Sequence, residues 1–146
     1  MNYPDDFEGK TVMITGAAGA LADGVIEMFT AAGAHVVGVD VVASEEVDAD
    51  LTHYIQADLT DESAVAAAMD TAAEEAGRLD ALINIAGTWR GGDPVAETPA
   101  ERFDLLVDVN LKTMFLASKH AIPQLRDAGG AMVSVSAKSA LSGGPS

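Results

Sequence analysis

The stretch Ile14–Gly24, ITGAAGALADG, decides how this chain is read. A short β-branched run, TVMIT (Thr11–Thr15), ends at Gly16, and the residues after Gly19 carry helical spacing at Leu21, Val25, Met28 and Phe29 before Gly33 stops the helix. A strand that enters a helix through a glycine turn points unpaired backbone N–H groups and a positive helix end at whatever lies above it, and a pyrophosphate suits that position. Gly16 and Gly19 supply the turn, while Ala20 and Ala22 stand where such turns often carry further glycines. The Ala22 methyl concerns how closely helix and strand pack, whereas Ala20 lies nearer the expected phosphate path. Leu21 belongs to the same turn. By itself the pattern fits a plain tight turn as well as a nucleotide site.

Outward from this turn, short apolar runs alternate with alanine-rich helical stretches, as expected for an α/β protein with a doubly wound parallel sheet, the Rossmann fold. HVVGVD (His35–Asp40) reads as the second strand and HYIQADL (His53–Leu59) as the third. TDESAVAAAMDTAAEEAG reads as a helix with Thr60 as a possible cap and Gly77 as its stop. LDALINIAG (Leu79–Gly87) is the fourth strand, a Gly- and Pro-rich loop follows, and one long helix then leads to the fifth strand, AMVSVSA (Ala131–Ala137). Pro123 fits that helix only near its end. Right-handed crossovers with a switch after the third strand predict the order 3-2-1-4-5.

The 146 residues are read as one nucleotide-binding domain, incomplete at its carboxyl end. With 23 acidic against 8 basic residues, the net charge of −15 repels nucleic acid and anionic lipid surfaces, so neither is an expected partner. The absence of cysteine excludes disulfides and thiolate chemistry, and the three scattered histidines offer no metal site. The acidic stretch Ser44–Asp50 reads as a solvated loop. No apolar run suits a membrane helix and the first residues are acidic, which makes the cytoplasm the expected location. No GK[ST] ending follows the turn and no G-x-S-x-G occurs, so neither a triphosphate loop nor an esterase elbow is expected.

Asp40 sharpens the reading of the turn. It ends the second strand about 20 residues beyond the glycines, where a dinucleotide fold holds the acid that accepts the ribose hydroxyls. Its charge would repel a 2′-phosphate, and no Arg or Lys stands in the turn or beside it, so NAD is expected over NADP.

Taken together, TGAAGALA, VVGVD, ADLT, NIAG, VNLKTMFLASKHAIPQL and VSVSA resemble the short-chain dehydrogenase/reductase family in order and spacing, over nearly the whole chain. The resemblance implies an NAD-dependent enzyme that moves hydride between nicotinamide and a small-molecule alcohol or carbonyl substrate, homo-oligomeric in its complete form. It implies that Asp58 and Leu59 border the adenine and that Asn84, Ala86 and Gly87 shape the cofactor site. Asn110 would be the helix asparagine of the catalytic group. Ala137 aligns with the family's catalytic serine, leaving Ser136 and Ser139 as neighbouring candidates, with Ser136 taken as the catalytic one.

The resemblance further implies a YxxxK helix after the fifth strand, and this chain carries none. Tyr3 and Tyr54 lie in the wrong segments, and FLASK (Phe115–Lys119) lacks the ionisable hydroxyl, so no general acid is found. The chain alone is therefore expected to be the family's amino-terminal part and inactive, with Met132, Val133 and Val135 on a bare edge and Leu111 and Phe115 exposed. A noncatalytic dinucleotide-binding or interaction module is the alternative reading.

Overall fold

A computed structural model describes residues 7–44, 47, 51–138 and 141. Five parallel strands, β1 (Thr11–Thr15), β2 (His35–Asp40), β3 (His53–Gln56), β4 (Ala81–Asn84) and β5 (Ala131–Ser134), form one sheet in the order β3-β2-β1-β4-β5. The predicted topology is therefore observed. The helices are α1 (Ala20–Ala31), α2 (Glu62–Ala76), α3 (Ala100–Val107) and α4 (Thr113–Ala128).

Alternation along the strands sends side chains to two cores, as a sheet covered on both faces requires. Met13, Val37, Val39 and Leu82 pack beneath Val65, Ala68, Met69 and Ala72 of α2 and Leu116, Ala117, Ala121 and Leu125 of α4. Val12, Ile14, Val36, Ala81 and Ile83 face the other way, against Ala22 and Ile26 of α1. Each fully buried aliphatic side chain contributes roughly 1.5–3 kcal/mol relative to exposure, so these two layers hold the sheet.

Three strands are shorter than the apolar runs suggest. Register explains this, because Thr15, the last residue of β1, pairs with Val39 and Asn84, which pair in turn with Ile55 and Ser134. Beyond that row the chain of β1 bends into Gly16, so β4 has no β1 backbone to continue with, and Ile85 N–H turns to the Thr15 side chain instead. The expected strand ends at Leu59, Gly87 and Ala137 thus belong to loops.

Helix details differ as well. Asp61, not Thr60, caps α2, accepting from the N–H groups of Ser63 (2.7 Å) and Ala64 (3.1 Å). The Thr60 hydroxyl donates instead to Asp58 at 2.7 Å. In α1 the buried positions are Ala22 and Ile26, with Val25 and Phe29 packed beside them, while Leu21 and Met28 are exposed. Ala22 is small enough to let the helix lie close on the sheet, which rotates its buried stripe away from Leu21.

The expected single long helix is two α-helices joined by one π-helical turn, Asp108–Lys112. Such a turn inserts one extra residue and is a local deformation often found at functional sites. Asn110 lies at its centre. Pro123 is tolerated five residues before the helix end, on an exposed face. Met132, Val133 and Val135 are exposed, as are Leu111 and Phe115, in agreement with expectation. Among the described residues no helix is long and apolar enough to cross a membrane.

Candidate functional site

The strand order reverses beside β1, where β2 leaves on one side and β4 on the other. A crevice opens at such a switch point, outside the carboxyl ends of the strands. Here it is a cleft of about 420 Å³, lined by Gly16, Gly19, Ala20 and Leu21 from the turn, Asp40 and Val41 after β2, Ala57–Thr60 after β3, Ile85–Gly87 after β4, and Val109 and Thr113.

The turn is shaped by backbone bonds to β2. Gly16 N–H donates to the Val39 carbonyl at 2.8 Å, and Gly19 N–H donates to the Gly16 carbonyl at 3.0 Å. Gly16 takes a φ of +73°, and a Cβ there would stand 2.7 Å from both Cα and N of Ala86. No side chain caps α1, whose N-cap is Gly19; Ala22 N–H donates to the Gly19 carbonyl at 2.8 Å, and the N–H groups of Ala20 and Leu21 have no intrahelical acceptor. Ala20 lines the cleft while Ala22 is wholly buried.

Asp40 is held ready by the turn itself. Its Oδ2 accepts from Ala18 N–H at 3.0 Å, and its Oδ1 accepts from Val41 N–H at 2.7 Å and Val42 N–H at 3.3 Å. The carboxylate is thereby fixed at the cleft rim with acceptor capacity left over. Asp58 Oδ1 accepts from both N–H (2.9 Å) and hydroxyl (2.7 Å) of Thr60, which closes the turn after β3, and Leu59 turns into the core. Asp40 and Asp58 are the only charged residues among those lining the cleft.

Sequence reasoning missed Thr15. Its Oγ1, buried, accepts from Ile85 N–H at 3.2 Å and Ala86 N–H at 3.3 Å, joining the end of β1 to the loop that carries Ala86 and Gly87. Its position just before Gly16 was the available signal. The lining residues Val41, Ala57, Thr60, Ile85, Val109 and Thr113 were missed too, each a neighbour of a predicted one or, for the last two, brought in by the π turn.

The remaining predicted residues lie around the cleft rather than on it. Asn84 is buried, and its Nδ2 donates to Ser118 Oγ (3.3 Å) and Ser134 Oγ (3.2 Å), which ties β4 to α4 and β5. Asn110 Oδ1 accepts from Thr88 N–H at 2.9 Å while its Nδ2 donates to the Leu106 carbonyl at 2.9 Å, so it fastens the chain leaving β4 to the π turn. Ser136 lies in the exposed loop after β5 and does not line the cleft. Tyr54 donates its hydroxyl to the Val42 carbonyl at 2.7 Å. Tyr3, Ser139 and much of the acidic stretch after Ser44 fall outside the described residues.

A doubly wound parallel sheet with a cleft at its switch point defines a Rossmann-type domain. The profile of the short chain dehydrogenase family matches residues 10–146, and the chain belongs to that family. It is 36% identical over 140 residues to the uncharacterized oxidoreductase YxbG of Bacillus subtilis, a match covering 90% of this chain and 51% of that protein. It is 30% identical over 144 residues to the 2-dehydro-3-deoxy-L-rhamnonate dehydrogenase (NAD(+)) of a Sphingomonas species, covering 95% of this chain and 58% of that one. Among solved structures, the 3-ketoacyl-(acyl-carrier-protein) reductase of Brucella melitensis complexed with NADH superposes with a TM-score of 0.84 at 31% identity, over 94% of this chain and 61% of that one. The chain spans about half the length of the curated relatives it matches.

Proposed function

We propose that this chain binds NAD and forms the cofactor half of a dehydrogenase that moves hydride between nicotinamide and an alcohol or carbonyl substrate. The observation that carries the reading is Asp40, anchored at 3.0 Å to the very turn whose helix end would face the pyrophosphate. The residues present suit the cofactor. The Gly16 turn leaves no room for a side chain against Ala86, and the N–H groups of Ala20 and Leu21, which no side chain caps, can donate to an anion. Asp40 would accept the ribose hydroxyls, with Asp58 and Leu59 beside the adenine and Ala86 and Gly87 toward the nicotinamide. When bound, NAD(H) would supply the carbon that takes or gives the hydride.

Asn84 and Asn110 would act by position, the first holding β4, α4 and β5 in line and the second holding the backbone at Thr88. Ser136, two residues beyond the strand-end row, is the proposed hydrogen-bonding serine for the reacting oxygen. The relative from Sphingomonas is named for NAD(+) and the Brucella enzyme was solved with NADH, which supports the choice of cofactor.

A 2′-phosphate would meet two carboxylates and no cation among the cleft-lining residues, so NAD should bind at least about 10-fold tighter than NADP. Calorimetric titration of both cofactors checks this. Asp40→Ala should weaken NAD, spare NADP and narrow the gap, and equal affinities in the parent protein would overturn the reading.

A further inference from the structure

The loop after β4 carries two side chains that neither the core nor the cofactor cleft uses. Thr88 is tethered by Asn110, and the next two residues, Trp89 and Arg90, leave the carboxyl edge of the sheet. Consecutive Cα atoms are 3.8 Å apart, so Trp89 lies within about 7.6 Å of Gly87, the cleft residue at the end of the loop floor. Ligands of open α/β sheets bind at this edge and at this switch point.

Trp89 is 78% exposed, a high value for the largest apolar side chain. Its ring rests on Gly91, where a Cβ would come within 2.5 Å of the indole. The ring thus lies close against the chain at Gly91 and is otherwise largely open to solvent. Arg90 has an equally unusual environment for an acidic protein. Lys10, Arg78, Arg102, Lys112 and Lys119 each lie within 4.0 Å of a carboxylate, whereas among the described residues Arg90 donates only to the Trp89 carbonyl, at 3.3 Å. Arg126 is likewise without a carboxylate among the described residues, but it sits in the last turn of α4, at the opposite edge of the sheet.

Building on the dehydrogenase reading, we infer that Trp89 and Arg90 recognise the part of the substrate remote from hydride transfer, and that the substrate is a polyhydroxy carboxylate of the sugar-acid class. An indole face is electron-rich and attracts the C–H face of a polyol or sugar ring. A guanidinium with no carboxylate beside it among the described residues offers such a group two parallel, charge-assisted hydrogen bonds. With a net charge of −15, the protein repels anions at long range, and a cation on this exposed loop offsets that repulsion locally.

Trp89 is the single tryptophan of the chain, so its fluorescence reports its own site. The 146-residue chain, saturated with NAD, would be titrated with D-gluconate and D-glucuronate, and in parallel with D-glucose and with acetate at matched ionic strength. The expected result is a saturable change with both sugar acids and an affinity at least about 10-fold weaker for glucose and for acetate. Arg90→Gln should lose the preference for the sugar acids and Arg90→Lys should retain part of it, since charge remains but the fork does not. NAD binding is measured separately by calorimetry. A chain that binds NAD yet shows no sugar-acid response, or responds equally as Arg90→Gln, or treats acetate like gluconate, overturns this inference and leaves the cofactor reading intact. A chain that does not bind NAD overturns both.

Discussion

Gly16→Val is expected to abolish NAD binding, with affinity falling at least about 100-fold, and to lower stability by about 3 kcal/mol. Two separate effects act at this position. The φ of +73° is in the left-handed region, which a β-branched residue enters at a cost of about 1–2 kcal/mol. The added Cβ would also lie 2.7 Å from backbone atoms of Ala86, and backbone cannot move aside as a flexible side chain can. Ala86 is joined to Thr15 through its N–H, so any relief of the clash pulls β1 and β4 apart at the floor of the cleft. Gly16→Ala, with the same strain and a smaller side chain, should fall between valine and the parent. Calorimetric titration with NAD and urea unfolding measure the two effects independently. Undiminished NAD binding by Gly16→Val would mean that the cofactor lies elsewhere.

At the opposite edge of the sheet, Asp80→Ala should cost about 2–3 kcal/mol of stability at neutral pH, read from urea unfolding. Asp80 is only 8% exposed, and its Oδ2 accepts from Thr11 N–H at 3.0 Å and from Arg78 Nε at 3.0 Å. Arg78 Nη2 bonds the other oxygen, and Lys10 stands 3.6 Å from it. The Asp80 backbone meanwhile donates to the Thr11 carbonyl and accepts from Ala131 N–H. One residue therefore joins the first residues of β1, β4 and β5.

Burial pushes the Asp80 carboxyl up, but the Thr11 N–H and the Arg78 and Lys10 charges together hold it below the usual carboxylate range. A carboxyl with a lowered folded-state pKa stabilises fully above its unfolded value, about 3.9, and that contribution is lost as pH falls through the folded value. The gap between the parent and Asp80→Ala should therefore be constant from pH 7 to about 5 and shrink in the acid range. Asp80→Asn keeps an acceptor for Thr11 N–H and should lose less. A gap that grew on acidification would contradict the assignment.

The π turn illustrates a feature that no local pattern announces. Helical spacing runs through DLLVDVNLKTMFLASK without interruption, so the sequence predicts one helix. The extra residue at Asp108–Lys112 is accommodated where Asn110 reaches out of the helix to the N–H of Thr88. That partner lies 22 residues earlier on another element, and only folding brings it within reach. The α2 cap shows the same limit at short range: both Thr60 and Asp61 are competent caps, and the choice falls to Asp61 because the Thr60 hydroxyl is taken by Asp58.

The sequence by itself determined the α/β class, the strand order, and the glycine turn with Asp40 beyond it, because these depend on periodicity, on chirality of crossovers and on residues whose backbone demands are local. β1 and β2 were legible to the residue, since β-branched runs end there in Gly16 and in Asp40. Only the tertiary structure decided where β3, β4 and β5 stop, because a strand ends when its neighbour leaves the ladder, and paired residues here are 16 to 69 positions apart in sequence. It alone decided that Asp40 clasps the turn through Ala18, that Thr15 carries the loop with Ala86, and that Asp80 gathers three strands. Each of these is a hydrogen bond between groups whose proximity is created by packing two helical layers on the sheet. A sequence carries the donors and acceptors, and their pairing is set by the distances that the packed core allows.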